Sequence, residues 1–176
     1  MIDTRNPEEL IAIVDENDKV IEKYPRRNHA NGRLHRETSV LIVNSKNEIL
    51  VQERADTRKL DYSASGHFPY YEDYLDGAVR EVEEELGLLI DRSKFKKISK
   101  HRINYSGRHV NNRFVTLFEV RGNYRIDDLK INLSEVKSVR YCSISELKDI
   151  IENNPERMSE GFIESLKIYF EKIDFK

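Results

Sequence analysis

Residues 66–88 read GHFPYYEDYLDGAVREVEEELGL, and this stretch decides the fold. Asp73 is a favourable helix N-cap residue, and Gly87 suits the position just beyond a helix C-terminus. Between them, apolar residues recur at helical spacing: Leu75, Ala78, Val79, Val82 and Leu86. One apolar stripe of this kind is typical of a helix that packs on a core. The stretch therefore predicts an amphipathic helix over about residues 74–86.

Glutamates of this helix predict a site for a divalent cation. At about 100° per residue, Glu81, Glu84 and Glu85 fall together on one face, whereas Glu83 points away from them. Carboxylates stacked within one turn repel one another, so helix stability alone does not explain them. A hard cation such as Mg²⁺ or Mn²⁺ prefers oxygen ligands and would remove the repulsion.

The same residues resemble the Nudix box, G-x5-E-x7-R-E-U-x-E-E-x-G-U, in which U is apolar. The match holds at every fixed position, which are Gly66, Glu72, Arg80, Glu81, Val82, Glu84, Glu85, Gly87 and Leu88. The resemblance implies a loop–helix–loop that binds Mg²⁺ and cleaves a diphosphate attached to another group. A solvated acidic helix face is the competing interpretation, but it does not explain the spacing of Gly66, Glu72 and Arg80.

The resemblance implies roles for the residues of the box. The expected metal ligands are oxygen donors on the helix or just before it: Glu81, Glu84, Glu85 and the carbonyl of Gly66. Glu81 or Glu84 would alternatively orient or deprotonate the attacking water, and the sequence leaves that choice open. Glu72 and Arg80 are expected to form an ion pair that ties the preceding loop to the helix, and Gly87 is expected to end the helix.

The flanking segments resemble the isopentenyl-diphosphate isomerase branch of the family and its hydrolase relatives. The cues are VDENDKVI at 14–21, RLHR at 33–36, VQER at 51–54 and Gly66-His67. Isomerases of this branch use a Cys-Gly-His motif and glutamates on a later strand. Here Ser65 replaces the cysteine, and Asn111 and Arg113 stand where the glutamates are expected. Serine has too high a pKa for this role and arginine does not deprotonate, so the hydrolase interpretation is favoured.

Four further residues are candidates for the site. Arg54 ends a predicted strand near the box, and a guanidinium suits a phosphate because it binds two oxygens at once. Glu135 stands where some family members keep another acidic group, although an exposed charge at a strand edge is equally consistent. His35 and His67 match isomerase metal ligands, with His29 near a third; structural histidines or phosphate contacts are the favoured interpretation.

Composition and pattern predict one domain over residues 1–176, with a Nudix core at about 8–152 and a helix at about 159–173 packed on it. The predicted architecture is an α/β/α sandwich with a mixed sheet. Predicted strands cover 10–14, 20–24, 39–44, 49–53, 62–67, 98–105, 114–120 and 135–141. A further helix is expected over 146–153, capped by Ser145.

The formal net charge of −2 predicts no general attraction to nucleic acid or to an anionic membrane. Cys142 is the only cysteine, so no internal disulfide is expected, and a reducing cytoplasm is the predicted compartment. No apolar run approaches the ~20 residues of a membrane span. We expect a monomer or homodimer that acts on a small molecule.

The predicted activity is Mg²⁺- or Mn²⁺-dependent hydrolysis of a nucleoside diphosphate or another organic diphosphate. A prenyl-diphosphate isomerase is the first alternative, disfavoured by Ser65 and Arg113. The second alternative is a non-catalytic ligand-binding module on the same fold. It is disfavoured because such a module need not keep Glu81, Glu84 and Glu85 together.

Overall fold

The computed structural model describes residues 9–26, 32–105 and 111–174. A mixed sheet of nine strands is accompanied by helices, and three short 3₁₀ helices lie in the described loops. The strands are β1 Leu10–Val14, β2 Val20–Pro25, β3 His35–Val43, β4 Ile49–Arg54, β5 Leu60–Asp61, β6 Ala64–Gly66, β7 Phe95–Tyr105, β8 Asn111–Arg121 and β9 Val136–Cys142. The helices are α1 Tyr74–Leu86, α2 Ile144–Asn153 and α3 Glu160–Asp174.

Strand β3 lies at the centre of the sheet because it pairs along both of its edges. One edge runs parallel to β8 over nine residue pairs, from His35↔Arg113 to Val43↔Arg121. The other edge pairs antiparallel with β6 and β4, and β1 joins at His35. Residues Val40–Val43 are at most 1% exposed, as expected for a continuous apolar run covered on both faces.

Helices cover both faces of the sheet, which confirms the predicted α/β sandwich. Because side chains alternate along a strand, Val40 and Ile42 of β3 pack beneath α1, whereas Leu41 and Val43 pack beneath α2 and α3. The same alternation divides β4. Leu50 of β4 packs with the side chains beneath α1, whereas its sequence neighbours Ile49 and Val51 pack with those beneath α2 and α3. Burial of these two apolar layers is the main favourable term that holds the helices on the sheet.

Helix α1 begins and ends where the sequence predicts. The Asp73 side chain accepts hydrogen bonds from the backbone N–H groups of Leu75 and Asp76, and Asp76 reaches back to the Asp73 N–H to complete a capping box. At the other end Gly87 has a φ of 67°, a left-handed conformation that favours glycine. These caps fix the register of the glutamates on the helix relative to the loop before it.

Several predicted boundaries differ from the structure. The 62–67 strand is two short strands, β5 and β6, with Tyr62 and Ser63 between them. Helix α2 begins two residues earlier than predicted and is capped by Ser143, whose hydroxyl accepts from the Glu146 N–H, rather than by Ser145. The predicted turn at 106–108 and His29 lie outside the described residues. Among the described helices, none is long and apolar enough to span a membrane.

Helix α3 reaches toward Arg113 of β8. The Tyr62 hydroxyl donates to the Gly161 carbonyl at 2.7 Å and lies 2.7 Å from the Ser165 hydroxyl oxygen. A Cβ atom at Gly161 would stand only 2.5 Å from Nη2 of Arg113. Any larger residue at position 161 would therefore displace the buried guanidinium of Arg113 from its present place.

Candidate active site

A cavity of about 300 Å³ opens beside the N-terminal half of the box stretch. It forms where the ends of several strands meet α1, so residues far apart in sequence face one another. The walls come from Arg26, Glu37, Arg54, Asp56, Ser65, Gly66, His67, Glu85, Ser134 and Glu135. Of the residues that the sequence nominated, this cavity brings together Gly66, Glu85, Arg54, His67 and Glu135.

Two of the box carboxylates are buried against the sheet. Glu81 is 3% exposed and Glu85 is 4% exposed. One oxygen of Glu85 accepts from the Gln52 amide at 2.9 Å and from the backbone N–H of Ser65 at 3.1 Å. The Glu85 carboxylate is therefore held in a fixed orientation at the wall of the cavity.

Glu84 is more exposed than Glu81 and Glu85. Its carboxylate is half-buried and accepts a hydrogen bond from Nη1 of Arg80 at 2.9 Å. The same Nη1 atom lies 3.2 Å from Oε1 of Glu81, so Arg80 connects Glu84 with the buried pair. In the described part of the chain, no three side chains of the His, Cys, Asp or Glu type are arranged to hold a metal ion.

Burial makes the charged forms of the inner carboxylates unfavourable. It raises the pKa of Glu81 to about 8, although the Arg80 guanidinium acts in the opposite direction. Burial also raises the pKa of Glu85 well above its ordinary value, and the neighbouring Glu81 and Glu135 carboxylates add to the effect. The site thus concentrates negative charge in a place where water does not solvate it.

The chemistry of the buried carboxylates suits a hard divalent cation, although the described side chains are not clustered as three ligands. Oε1 of Glu81 is buried without a hydrogen bond, although Nη1 of Arg80 lies 3.2 Å away as an ion-pair partner. A Cβ atom at Gly66 would lie 2.5 Å from the Glu81 carboxylate, so a larger residue there would displace this carboxylate from its present place. Carboxylate oxygens with excess negative charge are the ligands that Mg²⁺ and Mn²⁺ prefer.

Arg80 joins the box loop to the helix. Its guanidinium contacts Glu72 at 3.2 Å, as the sequence predicts, and also donates to the His67 carbonyl at 3.2 Å. Together with the bond to Glu84, these contacts span from the end of β6 to the middle of α1. Arg80 thereby fixes the backbone at the position next to Gly66.

The cavity holds two arginines, one of which the sequence reasoning missed. Arg54 lines the cavity, but its guanidinium already contacts Asp56 at 3.0 and 2.9 Å and Asp61 at 3.1 Å. Arg26 lines the same cavity and is close enough to Glu81 to lower the pKa of that carboxyl. In the sequence, Arg26 directly follows a predicted strand and opens a segment rich in arginine. This position was the available signal, since that strand, β2, ends at the cavity.

His35 and His67 form a pair whose Nε2 atoms are 3.0 Å apart. Nδ1 of His35 donates to the Arg33 carbonyl at 2.8 Å, so in neutral His35 the Nε2 atom accepts from His67. Glu37 lies 3.9 Å from Nε2 of His67 and 3.0 Å from Nε of Arg113. The resemblance to isomerases predicts carboxylates at positions 111 and 113 of β8. In this structure the carboxylate near His67 comes from β3 instead.

Comparison with known proteins identifies the family of this chain. Residues 33–162 match the NUDIX domain family, which is most of the chain. The chain belongs to the Nudix family. Human isopentenyl-diphosphate delta-isomerase 2 is 32% identical over 170 residues, covering 82% of this chain and 74% of that protein. An uncharacterized Nudix hydrolase of Pseudomonas aeruginosa is 40% identical over 86 residues, covering 46% of this chain and 51% of its own.

Solved structures share the Nudix fold at low sequence identity. The Deinococcus radiodurans protein DR0079 has a TM-score of 0.76 and 20% identity, covering 90% of this chain and 98% of its own. A Francisella tularensis bifunctional NMN adenylyltransferase/ADP-ribose pyrophosphatase, solved with AMP and a manganese ion, has a TM-score of 0.59 and 20% identity. It matches 78% of this chain with 41% of its own. The mixed sheet with flanking helices is thus shared across these proteins.

Neutralising Glu81 should stabilise this Nudix protein when no metal is present. The folded-state pKa is raised from 4.5 to about 8, so the folded protein holds a proton that the unfolded chain releases in that interval. Stability is therefore lost as the pH rises through the interval. We expect Glu81→Gln to raise the free energy of unfolding by about 1–2 kcal/mol at pH 8 and by almost nothing at pH 4.5.

Urea titrations in EDTA at the two pH values measure this effect. Glu83→Gln on the exposed face of the same helix is the matched control and should change stability by less than ~0.5 kcal/mol. A Glu81→Gln protein that is less stable than the wild type at pH 8 would contradict the assignment of Glu81 as an unfavourably buried charge.

Proposed function

We propose that this protein is a Mg²⁺-dependent hydrolase that cleaves the diphosphate linkage of a nucleoside diphosphate or another organic diphosphate. The supporting observation is the pair of buried carboxylates: Glu85 lines a cavity that also holds arginines, and Glu81 lies beside Gly66 of the cavity wall. The proposal includes one domain that works in the cytoplasm as a monomer or homodimer. Mn²⁺ is an alternative metal of the same chemistry.

In this proposal Glu81, Glu85 and the Gly66 carbonyl hold the cation, with Glu84 available from the same turn of α1. When bound, the cation neutralises diphosphate oxygens and lowers the pKa of a water molecule. Gln52 and the Ser65 N–H orient Glu85. Glu81 or Glu84 is the group proposed to orient or deprotonate the attacking water.

Arginine side chains are the proposed partners of the substrate phosphates. Arg26 contributes positive charge within reach of Glu81. Arg54 stays at the wall of the cavity, where Asp56 and Asp61 hold its guanidinium. Arg26 likewise has a carboxylate partner, Glu9 at 3.6 Å. We therefore assign phosphate contacts to both Arg54 and Arg26. Guanidinium groups suit this role because they bind two phosphate oxygens at once.

An isomerase of prenyl diphosphates is the second candidate, and the relatives named above favour it. Ser65 lies in the cavity, at the position where the isomerase branch has cysteine. Glu37 provides a carboxylate near His67, but that carboxylate is engaged in an ion pair with Arg113 at 3.0 Å. The hydrolase remains the better supported function.

A panel of diphosphates tests the proposal by the release of phosphate. We expect at least one nucleoside or organic diphosphate to be cleaved with Mg²⁺ or Mn²⁺, and EDTA to abolish the reaction because the carboxylates alone repel an anionic substrate. Full activity in excess EDTA would contradict the metal role. Double-bond migration in isopentenyl diphosphate without hydrolysis would instead support the isomerase.

Two glutamates of α1, Glu85 and Glu83, provide an internal control for the metal role. Glu85→Gln keeps the size of the side chain but removes a charge at the cavity, so kcat should fall by at least ~10²-fold. Glu83→Gln should change kcat by less than ~3-fold, because a step of two residues turns the side chain onto the exposed face. Steady-state kinetics on the best substrate of the panel measures both, and equal kcat values would exclude the carboxylate face as the active site.

Substitution of two different arginines distinguishes a direct contact with the substrate phosphate from a general effect of positive charge. Arg26→Gln should raise KM by ~10-fold or more, because it removes a charge-assisted contact to phosphate. Arg33→Gln is the control, since Arg33 pairs with Glu22 on an exposed surface outside the cavity. Its KM should stay within ~2-fold of the wild type. The same KM for both variants would show that Arg26 does not contact the substrate.

A further inference from the structure

We propose that a second cleft, on the face of the sheet opposite α1, binds a small organic anion with an apolar body. The cleft has a volume of about 1060 Å³ and is formed by β7, β8, the last turns of α3, the start of α2 and Asn47. It shares no lining residue with the cavity at the box. The proposal therefore concerns a site separate from the hydrolase centre.

Positive charge dominates the walls of this cleft. The basic residues that line it come from the 3₁₀ helix before β7 and from β7, β8 and α3: Lys94, Lys96, Lys97, Arg121 and Lys172. Glu119 is the one acidic residue in the lining. Its carboxylate already accepts two hydrogen bonds from Arg121, each of 3.1 Å, and one from the Tyr169 hydroxyl at 2.5 Å. Glu119 also lies opposite Lys96 on the neighbouring strand and offsets part of the positive charge, but one carboxylate does not balance five basic side chains.

The four lysines of the cleft have no acidic side chain within ion-pair distance among the described residues. Elsewhere on the surface, basic residues commonly have such a partner, as in Arg58–Glu53 at 2.6 Å and Lys167–Glu164 at 3.1 Å. The whole chain carries a formal charge of −2, so this concentration of positive charge is local. Like charges that converge on one concavity repel, and a bound anion removes that repulsion.

The floor of the cleft is apolar. Ile98, Ile144 and Ile173 are half-buried side chains that pack against the core and also line the cleft, and the Tyr169 ring lies beside them. A floor of this kind favours an aromatic or aliphatic body, while the lysines at the rim favour a phosphate or carboxylate. The volume is that of a small-molecule pocket, and its few charges do not form the long track that a nucleic acid requires.

The test uses 1-naphthyl phosphate, which carries an aromatic body and a single phosphate without an anhydride bond. Titrations in EDTA are followed by the backbone amide shifts of ¹⁵N-labelled full-length protein. We expect saturable binding that shifts the amides of residues 94–98, 121 and 172–173 and leaves those of 65–66 and 81–85 in place. Lys172→Glu should weaken this binding by at least ~5-fold, because it reverses a charge at the rim.

Lys167→Glu is the matched control, since it makes the same substitution on the same helix but outside the cleft. It should change the affinity by less than ~2-fold. Lys97→Glu on β7 should weaken binding as Lys172→Glu does, so the result does not depend on the folding of one variant. Hydrolysis at the box should match the wild type in all three, which separates this proposal from the proposed function.

Several outcomes would overturn the proposal. Shifts confined to the box amides would place the anion in the hydrolase cavity. Equal affinity for 1-naphthol would show an apolar groove without anion recognition, and equal affinity for inorganic phosphate would show that the isoleucine floor contributes nothing. Equal weakening by Lys172→Glu and Lys167→Glu would reduce the effect to the total charge of the protein.

Discussion

Two carboxylates kept out of water between α1 and the sheet constrain most of the structure around them. Glu81 and Glu85 are held there by the packing of α1, whose apolar side is buried under β3 and β4. Burial disfavours the charged forms of both carboxylates. A cation bound at this place would offset that unfavourable free energy. Gly66 leaves space for Glu81, and Gln52 fixes Glu85.

Arg80 is the counterpart of these carboxylates within the chain itself. It contacts Glu84, Glu72 and the His67 carbonyl, so one side chain links the loop, the strand end and the helix. The position of α1 relative to β6 therefore depends on charge as well as on apolar packing. Nη1 of Arg80 also lies 3.2 Å from Oε1 of Glu81, so the same guanidinium partly offsets the charge of the inner pair.

Local features of the fold were predictable from the sequence because their causes are local. Asp73 and Gly87 define α1 through capping chemistry, and the apolar run of β3 identifies a strand covered on both faces. The shift of the α2 cap to Ser143 shows the usual limit, since Ser143 and Ser145 are both good capping residues. The choice between them depends on where β9 ends.

Residues of the site that were missed depend on contacts across the sheet. Glu37 meets Arg113 only because β3 and β8 run parallel in one particular register, which no short stretch of sequence encodes. The link between Glu84 and Glu81 likewise depends on the Arg80 side chain, whose Nη1 atom contacts both carboxylates. A helical wheel places Cβ atoms, whereas the direction of a long side chain is decided by its partners.

The contact between α3 and Arg113 has a consequence for the order in which the chain matures. Arg113, the second partner of the Glu37 ion pair, is made 48 residues before Gly161, which approaches its guanidinium closely. At ribosomal rates the ion pair beneath the cavity then precedes the helix that packs over it by roughly 2–10 s. A nascent chain that already contains the whole box therefore still lacks the contact between α3 and Arg113. This contact forms only when α3 docks.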